Sequence, residues 1–119
     1  MVEDLLKGRR KDNTTNSVFS GYRIQTGWGY VTGTGSNSST KAVSFPVAFS
    51  GAPIVLIIGI GQNSSTPTSI DDFKEFLSNN NDMTAQSITA SGFKATSIRD
   101  GSTQGSLNWG FNWLAIGPA

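Results

Sequence analysis

The sequence contains no cysteine and no histidine. Those two absences remove zinc fingers, thiol redox sites, Cys/His proteases and Ser-His-Asp triads, each of which needs one of the missing side chains. Imidazole-dependent iron and copper sites are excluded on the same ground, and no cofactor is expected. Charge is scarce as well: charged residues are 14% of the chain and the net charge is +1. The cations are unevenly placed, with Lys7, Arg9, Arg10 and Lys11 near the amino terminus. Beyond residue 16, Arg23, Lys41, Lys74, Lys94 and Arg99 are balanced by Asp71, Asp72, Glu75, Asp82 and Asp100. A phosphate-binding surface needs a basic face, so the neutral body is not expected to have a nucleic-acid partner. No apolar run approaches the ~18 residues of a membrane-spanning helix. The longest, Pro53 to Ile60, has the length of a strand, and Leu5-Leu6 is too short for a signal-peptide core. Membrane insertion is not expected.

What is abundant is Gly, Ser, Thr and Asn, which fill 51 of the 119 positions. Such turn-forming, hydroxyl-rich composition suits many short strands and argues for an all-β domain. Residues 1–16 are charged and then polar, with no apolar periodicity after Leu6. They read as a lead-in, either a native tail or the end of an upstream segment, and the globular domain is placed at 17–119. Strands are expected near 18–25, 28–33, 41–48, 53–60, 84–90, 92–99 and 107–117. In the last of these, Leu107, Trp109, Phe111 and Trp113 alternate with Asn108, Gly110 and Asn112. Pro46 within the 41–48 pattern suggests an edge or a bulge, because proline donates nothing to a ladder. An insert at 62–82 interrupts the strands. Within it Ser69 to Leu77 reads as a short helix, capped by Ser69, with Asp71 and Asp72 at its positive end; an irregular loop is the alternative.

The segment Ile54-Val55-Leu56-Ile57-Ile58 is apolar at every position. A half-solvated sheet predicts alternation, so both faces of this strand are expected to be covered, by the 69–77 helix or by a neighbouring subunit. For a chain this small a subunit interface would also add buried area.

Five segments form an ordered pattern: Ile24-Gln25-Thr26-Gly27-Trp28-Gly29, Val43-Ser44-Phe45-Pro46-Val47-Ala48-Phe49, Ala52-Pro53-Ile54-Val55, Ile88-Thr89-Ala90-Ser91-Gly92-Phe93 and Trp113-Leu114-Ala115-Ile116-Gly117. In order and spacing they resemble the carboxy-terminal domain of bacteriophage tail-fibre proteins, which is similar to the H-type lectin domain. The resemblance covers about 18–119. It implies a compact antiparallel β-sandwich of six to seven strands, assembled as a homotrimer at the tip of a fibre. The implied partners are a bacterial surface glycan and an upstream fibre shaft, for which Glu3 to Lys11 would be the end. The long insert at 62–82 and the Pro118-Ala119 ending depart from the family pattern.

Trp28, Trp109 and Trp113, with Tyr22 and Tyr30, are the residue types on which a pyranose ring packs. Trp113 and Trp28 read as structural, whereas Trp109 is open between core and sugar platform. In the loop after 92–99, the resemblance points to Arg99, Asp100, Ser102, Thr103 and Gln104 as ligands for sugar hydroxyls. Arginine and aspartate there offer paired donors and acceptors, although an ordinary Asp-Gly turn is the alternative. Arg23 is a further candidate. Asp71, Asp72 and Glu75 cluster on one helical turn and read as helix-start residues, since a glycosidase pair needs two carboxylates ~5–9 Å apart across a cleft. The expected function is glycan recognition without turnover; a fibre-capping trimerisation domain and, more remotely, a depolymerase are the rivals.

Overall fold

A computed structural model describes residues 15–19, 21–35, 37–73, 81–99 and 107–119, with backbone alone for 15–19, 81 and 99. The chain is an all-β sandwich, with seven antiparallel strands among the described residues: β1 (Thr15–Phe19), β2 (Tyr22–Thr32), β3 (Ser38–Ser44), β4 (Ile54–Asn63), β5 (Asn81–Gln86), β6 (Gly92–Arg99) and β7 (Asn108–Pro118). One sheet has the order β1-β2-β7-β4 and the other β3-β6-β5.

Several boundaries differ from the sequence expectations, each for a local reason. The first two expected strands are a hairpin and its continuation: Phe19 pairs with Tyr22, and Gly21 takes φ 79° in the tight turn. β2 then runs unbroken through Gly27 and Gly29, whose missing side chains make room for rings rather than for a turn. A Cβ on Gly27 would lie 2.7 Å from the Trp113 ring, and one on Gly29 would lie 2.8 Å from Phe111. β3 stops at Ser44, so Pro46 lies beyond the strand and no bulge is required there. β5 ends at Gln86, where Ser87 adopts φ 52° and turns the chain. β4 extends to Asn63, with a bulge between Gly59 and Gly61 that absorbs the extra residue.

The core lies between the sheets. Phe45 sits among aromatic neighbours, 5.0 Å from Phe49, 5.8 Å from Phe93 and 5.7 Å from Trp113 between ring centroids. Phe111, Val31, Ala95 and Ala115 complete it. Burying each large apolar side chain contributes roughly 1.5–3 kcal/mol, so this cluster dominates the stability of the domain. The buried Gln25 holds the connection after β3 against β2: its Nε2 donates to the Val47 carbonyl at 2.6 Å and its Oε1 accepts from the Val47 N–H at 3.0 Å.

The expectation that both faces of 54–58 are covered is not met within the described residues of one chain. β4 is the edge of its sheet, and it does alternate: Val55 and Ile57 pack on the core, while Ile54, Leu56 and Ile58 face outward at 67%, 63% and 65% exposure. The helix offered as cover is a single 3-10 turn, Ile70–Asp72, and its expected continuation to residue 77 lies outside the described residues. Pairing across the sheet places Ile24, Ile116 and Ile54 in one outward row. Thr26, Leu114 and Leu56 form the next, followed by Trp28, Asn112 and Ile58.

Candidate functional site

The strands deliver two different ends. At one end, the connections around 45–53 and 87–91 close on the terminus through backbone bonds from Ser50 to Pro118 and from Ala119 to Gly21. At the other end β2 runs into 33–35, β4 runs into 64–73, β6 ends and β7 begins.

Amide side chains organise this second end. Asn108 accepts from the Thr32 hydroxyl at 2.8 Å and donates to the Ser65 carbonyl at 2.8 Å. Asn63, its cross-strand partner, donates to the Asp72 carbonyl at 2.7 Å and accepts from the Ser65 N–H at 2.6 Å. Together they tie the insert to β4 and β7. Ser69 caps the 3-10 turn, and the Asp72 carboxylate accepts from the backbone N–H groups of Thr68 and Ser69. Asp72 thus works as a cap, the role expected for it.

Just beyond Asp72 the chain folds Phe73 onto the outer face of the sheet. Its ring lies over Gly110, where a Cβ would come within 2.5 Å of it, and its centroid is 6.2 Å from both Trp28 and Tyr30. Only glycine at 110 leaves room for this approach. Beside the plug an open groove of about 570 Å³ runs along the outer face, lined by Thr26, Trp28, Leu56, Ile58, Ile70 and Asn112 among others. Two tryptophans, Trp28 and Trp113, and several aliphatic residues line it; its polar groups are the Thr26 hydroxyl, the exposed Asn112 amide and the Trp28 indole N–H. The Asn112 position was legible as the polar side of an alternating strand, but nothing local in the sequence placed Trp28 and Ile58 beside it.

Of the sugar-ligand candidates, the two whose side chains are described, Trp109 and Arg23, do not come together. Trp109 is buried with 0% exposure, so it belongs to the interior and offers no stacking face; its indole N–H has no hydrogen-bond partner among the described residues. The alternation that marked Trp109 as aromatic and inward was the correct signal. Arg23 donates to the Ala48 carbonyl at 2.8 Å at the closed end, roughly 26 Å along β2 from the Val31–Trp109 pair. It ties down the 45–50 connection rather than joining the other candidates. Arg99 ends β6 opposite Asn81, which places the departure of the following loop at the insert-bearing end. The Arg99 side chain, Asp100, Ser102, Thr103 and Gln104 lie outside the described residues. Among the described residues no group of three or more acidic side chains gathers to hold a metal ion, and no helix is long and apolar enough to cross a membrane.

No protein-family model matches the sequence, and no curated protein is significantly similar to it. Solved structures do share its fold. The R1 pyocin fibre of P. aeruginosa matches over 92% of this chain with a TM-score of 0.61 and 17% identity. Discoidin II of Dictyostelium discoideum matches over 85% with a TM-score of 0.58 and 24% identity. The Gp54 tailspike of Acinetobacter baumannii bacteriophage AP22, solved in complex with A. baumannii capsular saccharide, matches over 80% with a TM-score of 0.56 and 14% identity. The chain spans 26% of the pyocin fibre chain, 38% of the discoidin chain and 17% of the tailspike chain. The fold is therefore that of phage and pyocin tail-fibre and tailspike domains, which discoidin II shares, in agreement with the five-segment resemblance.

Proposed function

We propose that residues 17–119 are a carbohydrate-binding tip of a phage or phage-like tail fibre, which attaches the particle to a bacterial surface glycan from outside the cell. The observation that carries this reading is the fold shared over 92% of the chain with a pyocin fibre. A tailspike of the same fold, solved with a capsular saccharide, supports the ligand class. In this reading the chain acts as part of the virion. Residues 1–16 join it to a fibre shaft, and three copies pack around a three-fold axis through the aliphatic outer face of β2, β7 and β4. The glycan site is assigned to the insert-bearing end, with Arg99, Asp100, Ser102, Thr103 and Gln104 supplying donors and acceptors for hydroxyls. One shallow, wet site binds weakly, because each hydrogen bond to the sugar replaces one to water. Three sites on one axis raise the avidity through effective concentration. The act is recognition rather than turnover.

The exposed row Ile54, Leu56 and Ile58 also favours a second reading, in which the domain caps and trimerises a fibre and host contact is made elsewhere. One experiment separates the two. Purified chain is tested on a glycan array and on bacterial cells, with light scattering for mass. Saturable binding by a particle of three chains, lost in Asp100→Ala with the mass unchanged, is the expected result. A trimer that binds no glycan and no cell overturns the recognition reading in favour of capping, and reducing-sugar release from capsular polysaccharide overturns the non-enzymatic assignment.

A further inference from the structure

The outward rows of the β2-β7-β4 sheet contain no charged side chain. Around the aliphatic residues Ile24, Ile54, Leu56, Ile58, Leu114 and Ile116 stand three residues with polar groups, Thr26, Asn112 and, through its indole N–H, Trp28. Thr26 is half-buried, whereas Asn112 is exposed, flanked on the neighbouring strands by Trp28 and Ile58, and no described residue hydrogen-bonds to its amide. A charged partner would need countercharge, which these rows do not offer, and a saccharide would need more donors and acceptors than these few groups supply. A second copy of the same face needs only matching aliphatic relief. The three strands that carry these rows are about 14 Å wide and run about 34 Å, so the plan area is on the order of 500 Å². Side-chain relief brings the accessible area to about 600 Å², the lower end of the per-partner range of a stable interface.

Resting on the reading that this face joins copies of the chain, we propose that Asn112 is the residue that fixes how they join. Its amide hydrogen-bonds to a polar atom of the neighbouring copy, and that single buried polar contact selects one register and one number of subunits. An aliphatic surface alone is indifferent to sliding, because any offset buries nearly the same area. An amide buried without a partner is penalised, so arrangements that leave Asn112 unpaired are disfavoured, at some loss of affinity. Asn112 thus specifies the assembly while weakening it.

The test is the mass of the full chain by light scattering over a dilution series, for the wild type, Leu56→Asp and Asn112→Leu. The wild type is expected to give one mass and one dissociation concentration. Asn112→Leu is expected to lower that concentration at least tenfold and to replace the single mass with a mixture. Asn112→Ala, which removes the amide without adding bulk, gives the same mixture and serves if the leucine variant precipitates. A single, unchanged mass and dissociation concentration in both Asn112 variants overturns the proposal. A wild type that stays monomeric, or whose mass Leu56→Asp leaves unchanged, instead overturns the packing of copies on this face and the proposal with it. Quenching of Trp28 fluorescence by a sugar in a monomeric wild type would give the groove to a saccharide, with the same consequence.

Discussion

On β7, Trp109, Phe111, Trp113 and Ala115 point into the sandwich and are buried, while Asn112, Leu114 and Ile116, interleaved with them, point outward and keep exposure. The two faces are built from alternate residues of the same strands but by opposite means. Inside, large rings are matched to glycines across the pair: Trp113 over Gly27 and Phe111 over Gly29. Outside, aliphatic side chains stand in rows with one aromatic plug, Phe73, seated where Gly110 opens the surface. The inner face is specified by shape complementarity within one chain. The outer face is apolar, and among the described residues only Phe73 and Ile70 of the insert lie on it, while Ile54, Leu56 and Ile58 stay exposed. The contrast predicts that substitutions inside act on folding and those outside act on assembly.

The severest test is Trp113→Ala. Trp113 touches Phe45 and Phe93 and lies on Gly27, so truncation leaves a cavity that the sheets cannot close, at a loss of about 4 kcal/mol. Urea unfolding should show the midpoint collapse; a loss below about 1 kcal/mol would mean that the inner face is not the stabilising one. Gly27→Val probes the same contact from the other side. Its Cβ meets the indole at 2.7 Å, and the ring is backed by phenylalanines, so overpacking should remove about 3 kcal/mol. A thermal melt close to wild type would show that the fit is looser than the geometry implies.

Those two positions also show how far the sequence was legible. The five ordered segments that carried the family resemblance fall on inner-face architecture: Gln25 holding Val47, the glycines beneath the rings, Phe45, Phe49 and Phe93 in the core, and Gly117 against Pro53 and Phe49. Thr89 caps its turn by accepting from the N–H groups of Ser91 and Gly92. Period-two alternation and turn chemistry are local, so fold class and core were readable. The outer face stayed open between the 69–77 helix and a neighbouring subunit, because a run apolar on both sides looks the same whether the second face is covered by the chain or left to a partner. The glycan candidates were harder still. Trp109 and Arg23 were grouped by residue type, and only the topology reveals that one is interior and the other at the opposite end of β2.

Phe73→Ala tests the boundary between the two regimes. The ring is buried, yet it sits on the outer face and is contributed by the insert. Its removal should therefore weaken folding by about 2 kcal/mol, less than a core ring, because the gap opens to solvent and refills with water. Trp28, freed on one side, should emit at longer wavelength. A loss as large as that of Trp113→Ala would place the plug in the core proper and erase the distinction between the faces.

The smallest effect on folding is expected at Ile54→Thr. Ile54 is 67% exposed on an edge strand, and threonine keeps the β-branched shape that suits the strand, so the isolated chain should change by no more than ~0.5 kcal/mol. In an assembly the same side chain is buried against a neighbour, and apparent stability then includes the free energy of association, which varies with protein concentration. The comparison is sharpened by melting both proteins at two concentrations a hundredfold apart. The variant should match the wild type when dilute and fall behind it when concentrated, because only the concentrated wild type gains from the contact. Equal melting temperatures at both concentrations would mean that Ile54 meets nothing, and the row it shares with Ile116 and Ile24 would then be a solvent-facing surface.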